Sequence, residues 1–336
     1  MREREAFRIK GKTLGFGDLH FSSSYVGTHV NYLEECISNM RNILSIVEKE
    51  NPDNIVFFGD IIGVKERVIQ NRQFLSCVVS FFKELYNKAN GNVYSVMGNH
   101  DFGDYTDWDF LLDTGYIKNP LYLDYMYKNK IVSRIHFVNY GDESVKLSVN
   151  KNSHNIVFGH ADYYVEGQSS YMRTANSLDV KHLKAFRGIE YIFSGHIHTP
   201  SVKPLSAVLP DGTGTGVFYL GSPSRVTERI ESCWYLSITV DEEDLDLSFE
   251  PKIISLSPVS EVFTEESTKK RENSSNEEPE TEMEHKSKVL SEMIDDILST
   301  TRAIGNLDKQ LDLLPATDSV RELARKYIHL AQDTTN

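Results

Sequence analysis

A chain of 336 residues with 40% hydrophobic and 11% aromatic side chains, against only 10 prolines, carries enough core-forming material to exclude wholesale disorder. The formal net charge of −13 argues against a basic, phosphate-gripping surface, yet it is spread: residues 258–336 hold 10 Lys and Arg against 17 Asp and Glu, and residues 1–257 hold 26 against 32. Two bound divalent cations would bring the longer part to about −2, so charge alone does not exclude a nucleic-acid substrate.

The N-terminal Met1 to Glu5 run straight into an apolar strand pattern without the hydrophobic core of a signal peptide, and no stretch approaches ~18 apolar residues. Cys36, Cys77 and Cys233 lie far apart and form no CxxC pair, which suits reduced thiols in the cytoplasm and neither a disulfide framework nor a thiolate zinc site. A cytoplasmic protein with no membrane segment is expected, in the host-cell cytoplasm if a phage encodes it.

From residue 7 to about 255, short β-rich runs alternate with longer amphipathic ones, the pattern of an α/β domain. Phe7 to Phe16 is the first strand expected. Asn31 to Glu50 place Leu33, Ile37, Met40, Leu44 and Val47 at helical spacing, and Pro52 ends that helix. The run Ile55 to Phe58 stops at Gly59-Asp60, residues 66–89 read as helix, and Val93 to Met97 stop at Gly98-Asn99-His100-Asp101. Ile156 to Phe158 stop at Gly159-His160, and Tyr191 to Phe193 shortly before Gly195-His196-Ile197-His198. After residue 200 strands dominate, at Val217 to Leu220, Trp234 to Val240 and Leu245 to Ile254, expected to close a second sheet. Residues 258–285 have the composition of a flexible acidic linker, and residues 286–332 carry two amphipathic helical stretches interrupted at Pro315. The expected division is therefore a domain over 1–257, a linker over 258–285 and a helical segment over 286–332.

Each strand-end motif is weak alone, because Gly-Asp or Gly-His is more often a turn. Together, Asp18-x-His20, Asp60, Asn99-His100-Asp101, His160 and His196-x-His198 supply carboxylate, imidazole and amide oxygen donors of the kind that hold Mn²⁺, Fe, Zn²⁺ or Mg²⁺. Residues one apart on an extended segment point the same way, as Asp18 with His20 and His196 with His198 require. Asp60, isolated from other donors, suits a carboxylate bridging two cations.

In this order the motifs resemble the metallophosphoesterase (calcineurin-like) superfamily, over residues 14 to about 223. That resemblance implies a four-layer sandwich of two mixed β-sheets flanked by helices. It implies one metal held by Asp18, His20, Asp60 and His198, and another by Asp60, Asn99, His160 and His196; with these N and O donors, Mn²⁺ is the cation expected. It also implies that His100 protonates the leaving oxygen, with Asp101 orienting it.

Tyr219-Leu220-Gly221-Ser222-Pro223, followed by Arg225-x-x-Glu228 and Trp234-Tyr235, is similar to the closing strand and turn of SbcD-type DNA repair nucleases and their bacteriophage recombination counterparts. The linker and helical segment resemble the part by which such nucleases grip the coiled-coil base of an SMC-like ATPase. The resemblance thus implies the nuclease subunit of a DNA recombination or repair complex. Where some members carry a histidine three residues after the bridging Asp, this chain has Gly63, which favours endonuclease over exonuclease activity. A small-molecule or nucleotide phosphodiesterase or phosphatase would share every metal ligand, and a non-catalytic scaffold would share the fold. For the tail, the competing reading is a helical hairpin that packs on its own domain or makes a homodimer.

Overall fold

The stretch from Phe7 to Phe16, expected as one strand, is cut at Gly11, whose φ of +78° lies where a side chain is strained. Two strands result, β1 (Ala6–Ile9) and β2 (Thr13–Phe16), and they enter different sheets. The structure is a computed structural model that describes residues 3–22, 32–63, 72–102, 106–142, 144–165, 177–201, 204–224, 232–242 and 245–263.

Onward from β2 the chain forms α1 (Tyr32–Glu50), β3 (Asn54–Phe57), α2 (Arg72–Lys88), β4 (Val93–Ser95), α3 (Asp107–Asp113), β5 (Tyr122–Tyr127) and β6 (Lys130–Val138). It continues with β7 (His154–His160), β8 (Tyr163–Tyr164), β9 (Leu178–Asp179), β10 (Tyr191–Gly195), β11 (Leu205–Val208) and β12 (Gly214–Tyr219). The last described elements are β13 (Cys233–Asp241), β14 (Asp246–Ile254) and α4 (Val259–Val262). Periodicity points to neither α3 nor the β5–β6 hairpin, which turns at Lys128 and Asn129 with φ of +44° and +65°, the twist that tight hairpins prefer.

Two mixed sheets face each other, a seven-stranded one ordered β1-β5-β6-β7-β10-β12-β11 and a five-stranded one ordered β14-β13-β2-β3-β4. The strands after residue 200 do not close one sheet together, as expected, but divide: β12 pairs with β10 in the larger sheet, whereas β13 pairs with β2 in the smaller. β12 continues the parallel crossovers of the larger sheet, and β13 returns antiparallel beside the first motif strand.

Strands buried on both faces explain the unbroken apolar runs of the sequence. In β3 and the residue after it, Ile55 and Phe57 face α1, α2 and α3, while Val56 and Phe58 face the space between the sheets. In β10, Phe193 joins that inter-sheet core and Ile192 a third core on the outer face of the larger sheet. Among the described residues that outer face is covered by the β8–β9 pair and the 3₁₀ turns Val180–His182 and Lys184–Phe186 rather than by α-helix. On α1 the buried line is Tyr32, Cys36, Met40, Ile43 and Val47, with Leu33, Ile37 and Leu44 only partly buried, so the helix is turned slightly from the face read by spacing.

β2, β3 and β4 are parallel neighbours in one sheet, and β7 and β10 are parallel neighbours in the other. The motif residues follow or end these strands, so both sheets deliver them to one end of the sandwich. At the other limit of the domain, residues 258–263 of the expected linker are packed: α4 forms there, and Val262 and Phe263 are buried. The chain divides into a unit Met1–Lys269 and a second, Lys270–Asn336. The second unit, including the helical segment expected over residues 286–332, lies outside the described residues. No helix among the described residues is long and apolar enough to cross a membrane, and the three cysteines are free.

Candidate active site

The loop after β2 carries Asp18 and His20, and the loop after β3 carries Asp60; the two run on side by side, with the His20 and Phe21 N–H groups donating to the Asp60 and Ile61 carbonyls at 2.8 and 2.9 Å. His20, Asp60 and His196 have φ of +48°, +46° and +79°, left-handed conformations that non-glycine residues adopt at a cost. Close packing sustains them. Beside Asp60, Gly98 comes so near that a Cβ there would lie 2.1 Å from Asp60 Oδ1, which only glycine permits.

Three sets of donor atoms gather within this end of the sandwich: Asp18 with His20 and His198, Asp60 with His160 and His196, and His20 with Asp60 and His100. Asp60 Oδ2 is central, 3.7 Å from His20 Nε2, 3.7 Å from His100 Nε2 and 3.2 Å from His160 Nε2. Asn99 Oδ1 lies 3.0 Å from His160 Nε2 and 2.9 Å from His196 Nδ1. His20 Nε2 and His198 Nε2 stand 2.9 Å apart, so at least one presents a lone pair towards the other, and Asp18 Oδ1 is buried without a hydrogen-bond partner. All seven residues expected as ligands are thus brought together, with no thiolate among them. Unpartnered carboxylate oxygen and converging imidazole nitrogens fit divalent cations.

Electrostatics show the same demand for positive charge. Burial and the neighbouring Asp60 and Asp101 push the Asp18 carboxyl well above its usual range. For His160, burial lowers the pKa, but Asp60 and Asp18 outweigh it and carry the imidazole up to about 10. The reciprocal effect holds Asp60 well below the usual range against its own burial, through His160, His20 and His100. Burial brings His198 down to about 4 and His20 well below its usual value, leaving both as neutral donors near neutrality. His160 Nδ1 faces the Phe58 carbonyl at 2.7 Å, which orients the ring and leaves Nε2 for Asp60 and Asn99, so a cation taken by Nε2 must displace its proton.

His100 is at the mouth of the cluster with its side chain 19% exposed, and its backbone N–H donates to Asp60 Oδ1 at 2.9 Å. The Asp101 carboxylate accepts the Gly98 N–H at 2.9 Å and the Ile62 N–H at 3.3 Å, so it ties the two ligand loops together. Burial and Asp60 raise its pKa to about 7.

Three hydroxyls hold the Asp18–His20 loop by its successive carbonyls. Ser222 donates to Asp18 O at 2.7 Å, Ser224 donates to Leu19 O, and Tyr32 donates to His20 O at 2.8 Å. Asn39 on α1 donates in turn to Ser224 Oγ at 3.2 Å. The Gly221-Ser222-Pro223 turn is visible in the sequence, but Ser224, Tyr32 and Asn39 carry no local signal, because their partners lie far away in the chain.

Facing strand ends that bring carboxylate, imidazole and amide oxygens to one point define a metal-dependent hydrolase with a site suited to two divalent cations. The calcineurin-like phosphoesterase domain matches residues 11–200, more than half of the chain, which therefore belongs to the calcineurin-like phosphoesterase family. Among solved structures, the chain is similar to the 5'-nucleotidase precursor from Thermus thermophilus, at 12% identity and a TM-score of 0.41 over 78% of this chain. This chain spans 57% of that protein's length. It is also similar to TT1561 of Thermus thermophilus, at 10% identity and a TM-score of 0.39, covering 72% of this chain and 98% of that one. No curated protein matches the chain significantly.

Proposed function

We propose that this phosphoesterase is a Mn²⁺-dependent phosphodiesterase, the nuclease subunit of a DNA recombination or repair complex. The observation that carries the two-cation part of this reading is the position of Asp60 Oδ2, within 3.7 Å of three imidazole nitrogens and shared by two of the donor sets. In this reading Asp18, His20, Asp60 and His198 hold one cation, and Asp60, Asn99, His160 and His196 the other. Bound there, the cations supply Lewis acidity and an activated water. The chain's own part is to place the phosphate and move the leaving-group proton. His100, reached from solvent beside Asp60, donates that proton to the departing oxygen.

The preference for DNA rests on the likeness of the Tyr219–Pro223 turn to repair nucleases and on the tail beyond residue 269. Ser222 of that turn supports Asp18, which gives the turn a place in the site. Gly63 lies against the His20 and Phe21 carbonyls, where an added Cβ would be 3.2 and 3.5 Å from their oxygens, and with no imidazole at that position we favour endonuclease action. The net acidity of the domain calls for a partner that adds DNA affinity, for which an SMC-like ATPase held by residues 286–332 is the candidate. The test is hydrolysis with Mn²⁺ of single-stranded DNA, duplex ends, bis-p-nitrophenyl phosphate and a 5'-mononucleotide. Cleavage of DNA and of the small diester is expected. Hydrolysis of the mononucleotide alone would overturn the nuclease reading in favour of a phosphatase.

A further inference from the structure

Phe102 follows directly on Asn99-His100-Asp101 and is 67% exposed. Among the described residues the large hydrophobic side chains left in solvent are Phe102, Leu121, Val145, Val208, Leu245 and Ile253, and Phe102 is the one aromatic ring of the six. A phenyl ring left in water forgoes the burial that twelve of the other sixteen phenylalanines attain, the remaining four being partly buried. Its root is nevertheless fixed. Asp101 is buried, its carboxylate held by the Gly98 and Ile62 N–H groups, and its carbonyl accepts the Thr106 hydroxyl at 3.0 Å. Thr106 in turn caps α3 through a reciprocal pair of bonds with Asp109. An exposed ring on an anchored backbone, two residues and so at most ~7 Å of chain from His100, is within reach of a substrate held at His100.

We infer that Phe102 stacks on the nucleobase adjoining the scissile phosphodiester, so that the substrate class is a nucleic-acid strand with an unpaired base at the cleavage point. The inference rests on the phosphodiesterase reading above and specifies its substrate. Stacking uses the face that every base possesses, so Phe102 selects unstacked bases without reading sequence, while His100 and the ligand cluster act on the phosphate. A double-stranded substrate has to open locally before its base can reach the ring.

The experiment uses the full chain with Mn²⁺ and two matched single-stranded oligonucleotides, one intact and one with stable abasic residues flanking the cleaved position, each at saturating and limiting concentration. Phe102→Ala should raise KM on the intact strand by roughly 5- to 150-fold, the range for loss of one base–aromatic stack. On the abasic strand the same substitution should cost a much smaller factor, and Phe102→Trp should restore the intact-strand KM. A 2-aminopurine at the flanking position should be quenched on binding to wild-type protein and less so by Phe102→Ala. Equal KM values for wild type and Phe102→Ala on the intact strand overturn the inference. So does an equal loss on both strands accompanied by a lower Tm, which would make Phe102 a structural part of its loop. A wild-type protein that hydrolyses bis-p-nitrophenyl phosphate but neither strand, even at saturating strand concentration, overturns the nuclease reading itself, and is recognised before any variant is made.

Discussion

Asp60 lies at the centre of the cluster and His100 at its mouth, and their removal should have different consequences. Asp60→Asn replaces a carboxylate shared by two donor sets with a neutral amide, so metal stoichiometry measured by elemental analysis should fall along with the rate. His100→Ala removes a side chain at the mouth and should leave metal content intact while lowering kcat roughly 10²- to 10⁴-fold, the usual range for a lost general acid. Normal metal content and rate in Asp60→Asn would show that it is not the shared ligand. Asp101 separates what spacing can reveal from what it cannot. Its place after His100 suggests a partner for the ring, but its two acceptor bonds go to Gly98 and Ile62. Asp101→Asn would turn one acceptor into a donor facing an N–H, at a cost of about 1–3 kcal/mol, so Tm and metal affinity should fall together. A loss of kcat with Tm and metal affinity unchanged would return Asp101 to the role of orienting His100.

Glu50, at the end of α1, gathers three other elements around one carboxylate. Lys12 beside β2 makes an ion pair with it, Tyr235 of β13 donates to Oε1 at 3.0 Å, and Lys252 of β14 reaches the same oxygen at 3.1 Å. The Lys12 bond is the main cause holding Glu50 down to about 2, from a usual 4.5; burial opposes it, and Lys252 and Tyr235 assist. A carboxylate depressed by folding contributes stability that is complete above its unfolded pKa and is lost as pH falls through the folded one. Here that window runs from about 4.5 down to about 2. Glu50→Gln should therefore destabilise the protein at pH 7 by about 1–2 kcal/mol after allowance for solvent screening, and by progressively less below pH 4.5. Urea midpoints of both proteins at pH 7 and pH 3 check this, and a constant difference would remove Glu50 ionisation as the cause. Most of the elements that meet at Glu50 were legible from periodicity, since α1, β13 and β14 fall on the expected segments. Their convergence was not, because ion pairs between residues 12, 50 and 252 leave no trace in local spacing.

For the molecule as a whole, the buried Val262 and Phe263 place the end of the catalytic unit beyond Pro258. A truncation ending at Lys269 should keep Tm, metal content and hydrolysis of a small phosphodiester, and should lose association with an ATPase partner and ATP-stimulated DNA cleavage. Unfolding or aggregation of that truncation would mean that residues 270–336 belong to the catalytic core. The donor residues, the strand runs that precede them and the α/β class were all readable along the chain. Each depends on local pattern: apolar runs buried on both faces, and polar turns at the strand ends where loops can converge. Tertiary structure alone decided that the Phe7–Phe16 run splits between two sheets, that β12 and β13 part company, and that Asp101 serves the backbone. The reason is physical: sheet partners and buried hydrogen bonds are chosen among groups distant in sequence by which combination fills the core and satisfies every buried polar atom. No window of neighbouring residues contains that choice.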